Sequence, residues 1–346
     1  MSIQIPKCPF PNPYNHNIGW TPFTFHIDLD IVGHMILDES RTFFKIMLYE
    51  TLSGDMGYYR GQNQNYPKFK TSWQKQDSPL KKCIAWIAKE EFLDWFQRTP
   101  YFTYFANQIE FSYNKNLPEG QGAKFAFDFE AIAQHYGFAT NYLDITTKRD
   151  IAEFFAYTYW DKENRMYKPI EDFTKFHPVL FSSLGGENIM NPYNKDIRIV
   201  GFQPLVRPIC QFAMAINLEN TNIDYNKEFF KIDLPQEKKR AFEIYDKYEG
   251  GKQLFPDDYA TQAANMINYK LEYGRNINHD IFLKYCKTFN QNPRDIANRL
   301  MSKGYIITNI GIQIKDETIQ SMQKHIEEKL IPWINEFVRY SPVYKG

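Results

Sequence analysis

The chain has little cysteine and no surplus of charge in either direction. Its four cysteines, Cys8, Cys83, Cys210 and Cys286, stand far apart with no Cys-x-x-Cys pair. That spacing excludes a zinc site of the usual kind and a dense disulfide framework, and no residue is assigned as a metal ligand. Basic and acidic residues number 41 each, so there is no positive field to drive non-specific nucleic-acid binding. No apolar run approaches membrane-spanning length, and the start Met1-Ser2-Ile3-Gln4-Ile5-Pro6 lacks both parts of a secretory signal. The expectation is a soluble, cytoplasmic protein with no membrane partner. Several motifs are also missing: a GxxxxGKS/T phosphate loop, a GxGxxG after a strand, a GxSxG elbow and an HExxH pair, which removes the commonest nucleotide-hydrolase, esterase and zinc-protease readings.

Aromatics are abundant, with 29 Phe and 24 Tyr, many in runs such as Tyr101-Phe102-Thr103-Tyr104-Phe105. They read as core rather than as a stacking platform for bases. A chain of 346 residues can bury a core as one large domain or two smaller ones. Residues 1–54 read as an N-terminal arm rich in Pro, Asn and aromatics, ending in a helix over 37–52. Tyr58–Gln62 reads as a strand. Ser78-Pro79 pairs a cap with a first-turn proline and opens an amphipathic helix ending near Pro100, with a second helix over 101–112. Asp128 caps a helix that Gly137 stops, residues 141–146 run extended, and Thr147 with Asp150 has capping-box spacing. Strands are predicted at 178–183, 197–203, 208–217, 229–233 and 305–314. Helices are predicted at 235–249, 258–273, 279–289, 293–303 and from Asp316. With no regular βαβ alternation, the fold class is α+β, a central mixed or antiparallel sheet flanked by helices.

The stretch Tyr58-Tyr59-Arg60-Gly61-Gln62 concentrates the chemistry. An arginine fork at a strand end can grip a phosphate or carboxylate through two parallel hydrogen bonds, or pair with an acid such as Asp144. The glycine behind it permits close approach of a ligand to the backbone, or a turn with positive φ. His135 falls in a last helical turn, where its cation gains from the helix C-terminus or where it serves as a general acid or base. Asp144, Thr146 and Thr147 precede a helix start, where they cap free amides or share those amides with an anion. On a 208–217 strand, Gln211 would share a small, partly polar face with Ile209, Ala213, Ala215 and Asn217.

Three segments belong together: Tyr59-Arg60-Gly61-Gln62; Ala133-Gln134-His135-Tyr136-Gly137-Phe138-Ala139-Thr140, running on through Leu143-Asp144-Ile145-Thr146 to Phe154-Phe155-Ala156; and Arg207-Pro208-Ile209-Cys210-Gln211. With Leu254-Phe255-Pro256-Asp257 downstream, they resemble the FRG domain family, named for its Phe/Tyr-Arg-Gly triplet. The resemblance covers roughly residues 55–270, leaving 271–346 as a mostly helical C-terminal extension packed on the core. The chain departs from the family pattern at Asn141, Ile145 and Phe212-Ala213. The order of parts is also similar to that of ADP-ribosyltransferases, which carry Arg or His on an early strand, Ser, Thr or Tyr at a middle strand-to-helix passage, and often Glu on a later strand. That similarity implies an ADP-ribosyltransferase-like core with Arg60, His135 and Gln211 as catalytic candidates. It sets Tyr59, Arg60, Gln62, Asp144, Thr146 and Thr147 against the ligand. The implied activity is binding of an NAD-like nucleotide with ADP-ribosyl transfer or N-glycosidic cleavage. No cofactor is required, NAD is the candidate substrate, and the partner is a small nucleotide or a protein acceptor. The alternative is a non-catalytic ligand-sensing or interaction module in a defence or toxin setting, because a glutamine at position 211 cannot act as a carboxylate base.

Overall fold

Short polar side chains open most of the helices. Ser78 Oγ accepts from the Lys81 amide at 3.2 Å, Asp128 Oδ1 from Ala131 at 3.0 Å and Asp258 Oδ1 from Thr261 at 2.7 Å; each such cap stabilises its helix by about 1 kcal/mol. The computed structural model describes residues 57–112, 123–124, 128–183, 186–189, 194, 196–200, 205–330 and 341–344. The arm and helix expected over 1–54 lie outside the described residues.

The chain runs β1 (Tyr59–Gln62), α1 (Pro79–Gln97), α2 (Pro100–Gln108), β2 (Ile109–Ser112), β3 (Ala123–Lys124), α3 (Phe129–His135), β4 (Tyr142–Thr146) and α4 (Arg149–Tyr157). A β5–β6 hairpin (Thr158–Asp161, Met166–Pro169) follows, then β7 (Val179–Ser182), β8 (Ile197–Ile199), α5 (Val206–Cys210) and β9 (Ala213–Asn217). Next come α6 (Tyr225–Glu228), β10 (Phe230–Asp233), α7 (Lys238–Lys247) and α8 (Tyr259–Glu272). The remainder holds β11 (Asn276–Asn278), α9 (His279–Thr288), α10 (Pro293–Met301), β12 (Ile306–Thr308), α11 (Asp316–His325) and β13 (Ser341–Tyr344).

Six strands form one antiparallel sheet in the order β10-β7-β1-β4-β9-β8. With the helices around it, the fold is α+β. β1 is tied to β7 by four register pairs but to β4 by one, Tyr59↔Thr146. The two strands therefore diverge beyond that pair, leaving backbone groups of β4 open to a side chain.

Helix α4 lies directly on β1, and Gly61 makes this possible. A Cβ built on Gly61 would sit 1.7 Å from the Ala152 carbonyl oxygen and 2.9 Å from the Ala156 nitrogen, well inside van der Waals contact. The glycine is needed for helix–strand packing, and among the described residues it is not one of the positive-φ glycines. Ala152 and Ala156, both buried, are the small residues that complete the contact. Phe154 on the same helix is fully buried and meets Tyr167 and Tyr248 edge-on at 5.4 and 5.7 Å. Burying a side chain of that size contributes about 1.5–3 kcal/mol.

Four sequence expectations are corrected. The helix expected over 101–112 stops at Gln108, and the alternating Ile109-Glu110-Phe111-Ser112 pairs as a strand with β3 and β13, as period-two alternation favours. The strand expected at 305–314 is confined to Ile306–Thr308, parallel to β11. Thr147 forms no capping box: its amide points to the Phe212 carbonyl at 3.4 Å, and α4 starts two residues later. Finally, 208–217 is not one strand. Pro208 sits in the first turn of α5, where its missing N–H costs nothing, and Phe212 breaks the chain with φ of 48° before β9 begins. Gln211 therefore lies in a turn, so its side chain is not bound by the alternation that orders Ala213 to Asn217.

Among the described residues no helix is long and apolar enough to cross a membrane. Cys83, Cys210 and Cys286 are buried free thiols, and no cluster of three His, Cys, Asp or Glu could hold a metal among the described residues.

Candidate functional site

Asp144, at the centre of β4, is the hub of a polar cluster. Alternation along β1 sends Tyr59 and Gly61 toward α4 and Arg60 and Gln62 to the other side. Arg60 reaches into the divergence between β1 and β4, where its Nη1 donates to the Asp144 backbone carbonyl at 2.6 Å. Its guanidinium carbon also lies 6.0 Å from the Phe69 ring centroid. Burial pushes the Arg60 pKa down, opposed by the Asp144 charge. The alternative expectation of an ion pair with Asp144 is therefore corrected: Arg60 bonds the Asp144 backbone carbonyl, and the carboxylate is engaged by Gln134 and faces His135.

The carboxylate is held from α3. Gln134 Nε2 donates to Asp144 Oδ2 at 3.1 Å, while Gln134 Oε1 accepts from the Thr140 hydroxyl and from Ser72 Oγ at 3.1 Å. The neighbouring His135 is locked by Gln211, whose Oε1 lies 3.1 Å from Nδ1 and whose Nε2 donates to the Leu254 carbonyl at 2.9 Å. A carbonyl can only accept, so the Gln211 amide orientation follows, and with it the proton on His135 Nδ1. His135 Nε2 then presents a lone pair 3.5 Å from Asp144 Oδ1. Two acceptors face each other with nothing to share. The His135 side chain is 4 % exposed, while that of Asp144 is 45 % exposed, so the pair is sealed on one side and open on the other.

Burial is the main cause that lowers the His135 pKa from 6.5; Asp144 raises it, Arg207 lowers it further and the Gln211 bond raises it. The net direction is down, so the folded protein favours the neutral imidazole. Because the unfolded chain takes up the proton more readily, the stability associated with His135 is fully present above about pH 6.5 and is lost as pH falls toward the folded-state value. Urea unfolding of the protein and of His135→Gln, run from pH 7.5 to 5, is expected to show the stability difference between them shrinking as pH falls. A difference that widens would mean a histidine stabilised as its cation.

Seven buried side-chain nitrogen and oxygen atoms lack a hydrogen-bond partner among the described residues, and four belong to this cluster: Arg60 Nε, His135 Nε2, Asp144 Oδ1 and Arg207 Nε; a fifth, Gln62 Oε1, belongs to the same strand as Arg60. Each such atom costs about 1–3 kcal/mol when left unpaired, so their concentration in one place makes this cluster the candidate site. Lys75 is close enough to feel the charges of both Arg60 and Asp144.

The other expected site residues are placed differently. Tyr59 is 2 % exposed and its ring belongs to the hydrophobic core beneath α4, on the opposite side of β1 from Arg60. Thr146 is buried, its hydroxyl donating to the Gln211 carbonyl at 2.9 Å and accepting from the Lys148 amide at 3.1 Å, so it joins β4 to the Gln211 turn. Thr147 presents its amide to the same turn. Gln211 has both ends of its amide occupied, by His135 and by the Leu254 carbonyl. A glutamate there would set a carboxylate oxygen against the Leu254 carbonyl. The residue that sequence reasoning passed over is Arg207, although it opens the third of the matching segments. Its guanidinium lies 4.6 Å from the Phe255 ring and 5.5 Å from the Tyr136 ring, and Tyr136 OH in turn donates to Asp258 at 2.6 Å.

Comparison with known proteins agrees with the motif pattern in one region. Residues 56–165 match the FRG domain family model, a span that includes Arg60, Gln62, His135 and Asp144 and stops short of Arg207 and Gln211. No curated protein matches the chain, and no solved structure does. From the Tyr-Arg-Gly strand through α4 to the turn between β5 and β6, the chain carries an FRG domain.

Proposed function

We propose that the Asp144 cluster binds an NAD-like nucleotide and transfers its ADP-ribosyl group or cleaves its N-glycosidic bond. The observation that carries this reading is the pairing of two kinds of vacant valence. His135 Nε2 and Asp144 Oδ1, 3.5 Å apart, call for a hydroxyl donor, while Arg60 Nε calls for an anionic acceptor. A sugar phosphate supplies both in one molecule. Gln62 Oε1 adds a further acceptor for a sugar hydroxyl.

In the reaction, the bond between the ribose anomeric carbon and the nicotinamide nitrogen breaks, and its electron pair leaves with the ring as neutral nicotinamide. Positive charge develops on the ribose, and the Asp144 carboxylate is the group in the cluster that opposes it. Water or an acceptor hydroxyl forms the new bond to carbon, and its proton passes to the lone pair of His135 Nε2. Arg60 holds a phosphate. Gln211 and Gln134 keep the imidazole and the carboxylate in place. The motif order shared with ADP-ribosyltransferases supports the same assignment by analogy.

The occupied amide of Gln211 favours a second reading, in which the site binds the nucleotide without turning it over. Incubation with NAD and candidate protein acceptors, followed by chromatographic detection of nicotinamide, separates the two. The enzymatic reading expects nicotinamide release or protein modification that falls about 100-fold in Asp144→Asn, with NAD affinity changed only a few-fold. Binding without release in the unsubstituted protein leaves the sensing reading, and absence of binding, release and modification removes both.

A further inference from the structure

Arg207 has no part in the chemistry above and no hydrogen bond or ion pair among the described residues. It is half-buried, and its Nε is fully so. The two acids nearest in effect are committed: Asp258 accepts from Tyr136 OH at 2.6 Å and from the Thr261 amide at 2.7 Å, and Asp144 accepts from Gln134. The Phe255 and Tyr136 rings hold the guanidinium, and Tyr167 stacks on Phe255 at 4.8 Å. Such packing fixes the plane of the fork without neutralising it. A partly desolvated cation with no anion bonded to it among the described residues is costly unless one arrives from outside.

Arg207 also shares surroundings with Asp144. Its guanidinium packs on Tyr136, the residue after His135, and its helix leads into Gln211, whose amide holds His135 3.5 Å from Asp144, so the two side chains border the same polar region from different elements. Arg60 borders it from β1. Two guanidinium groups, each with a buried and unpartnered Nε, therefore flank one carboxylate–imidazole pair.

We propose that Arg207 is a second anion-binding residue and that the site takes a ligand with two linked anionic groups, of the diphosphate class, one on Arg60 and the other on Arg207. The assignment rests on reading the cluster as a nucleotide site, and it adds which phosphate chemistry that site selects. A bidentate fork on each anion gives discrimination that a single arginine does not.

Calorimetric titration with AMP, ADP, orthophosphate and pyrophosphate tests it. The protein is expected to bind ADP at least about tenfold more tightly than AMP, and to prefer pyrophosphate over orthophosphate in the same sense. Arg207→Gln is expected to abolish both preferences while leaving AMP affinity within about twofold, with folding followed by circular dichroism. Should that variant not fold, Arg207→Lys decides: it keeps the charge but loses the fork, and is expected to lose at least about threefold of the preference. Equal affinity for the members of each pair in the unsubstituted protein, or full preference in the Arg207 variants, overturns the assignment even if NAD is turned over. Preference that depends on Arg207 while NAD neither binds nor reacts keeps the diphosphate subsite and removes the NAD reading. No binding of any of the four probes removes both.

Discussion

Gly61→Ala is expected to prevent the domain from reaching its native packing. The added Cβ would meet the Ala152 carbonyl oxygen at 1.7 Å, the Ala152 carbonyl carbon at 2.7 Å and the Ala156 nitrogen at 2.9 Å. All three are backbone atoms of α4, so no rotamer change relieves the clash. The helix must lift off β1 or the strand must shift out of its register with β7. Overpacking in a core costs about 1–3 kcal/mol when side chains can adjust, and here they cannot, so the cost lies at or beyond the top of that range. A domain of ordinary stability has about 5–15 kcal/mol in total. The expected result is insoluble protein, or a melting temperature lowered by more than about 6 °C. A variant that melts within about 2 °C of the parent would show that α4 and β1 are not in the contact described.

The second large effect is on Arg60. Truncation to alanine removes the buried Nε that has no partner among the described residues and the donor to the Asp144 carbonyl. The loss to folding is small, within about 1 kcal/mol, because one net hydrogen bond is offset by relief of the desolvated charge. The loss to an anionic ligand is larger, since a charge-assisted bond to phosphate is worth about 1.5–3 kcal/mol. Affinity is therefore expected to fall at least tenfold while the melting temperature barely moves. That split distinguishes a ligand-holding arginine from a fold-building one, for which stability would fall and the affinity of folded protein would not.

Much of the fold is legible in the sequence because its signals are local. Ser78-Pro79, Asp128 with Gly137, and Asn292-Pro293 mark helix ends through chemistry confined to one turn. The errors come where distant segments decide. The 208–217 run has the apolar content of a strand, yet Pro208 starts a short helix and Phe212 takes a left-handed conformation. Gly61 was legible as a close approach, but what approaches is the backbone of α4, some ninety residues along the chain, and not a ligand. In the site, residue types pointed to Arg60, His135, Asp144 and Gln211, and the structure brings these four into one connected network. The division of labour among them was not legible. That Gln211 spends its whole amide on His135 and Leu254, and that Arg207 has no ion-pair partner among the described residues, depends on contacts spanning 43 or more residues that no motif encodes.

The central claim is that the vacant polar atoms around Asp144 form a ligand site. Calorimetric titration of NAD into the full chain and into Arg60→Ala, with the melting temperature of each measured beside it, tests that claim most directly. The account predicts saturable binding to the parent protein, a dissociation constant raised at least tenfold in the variant, and melting temperatures within about 3 °C of each other. No binding to the parent, or equal affinity in a variant that melts much lower, would contradict it and leave Arg60 a structural residue.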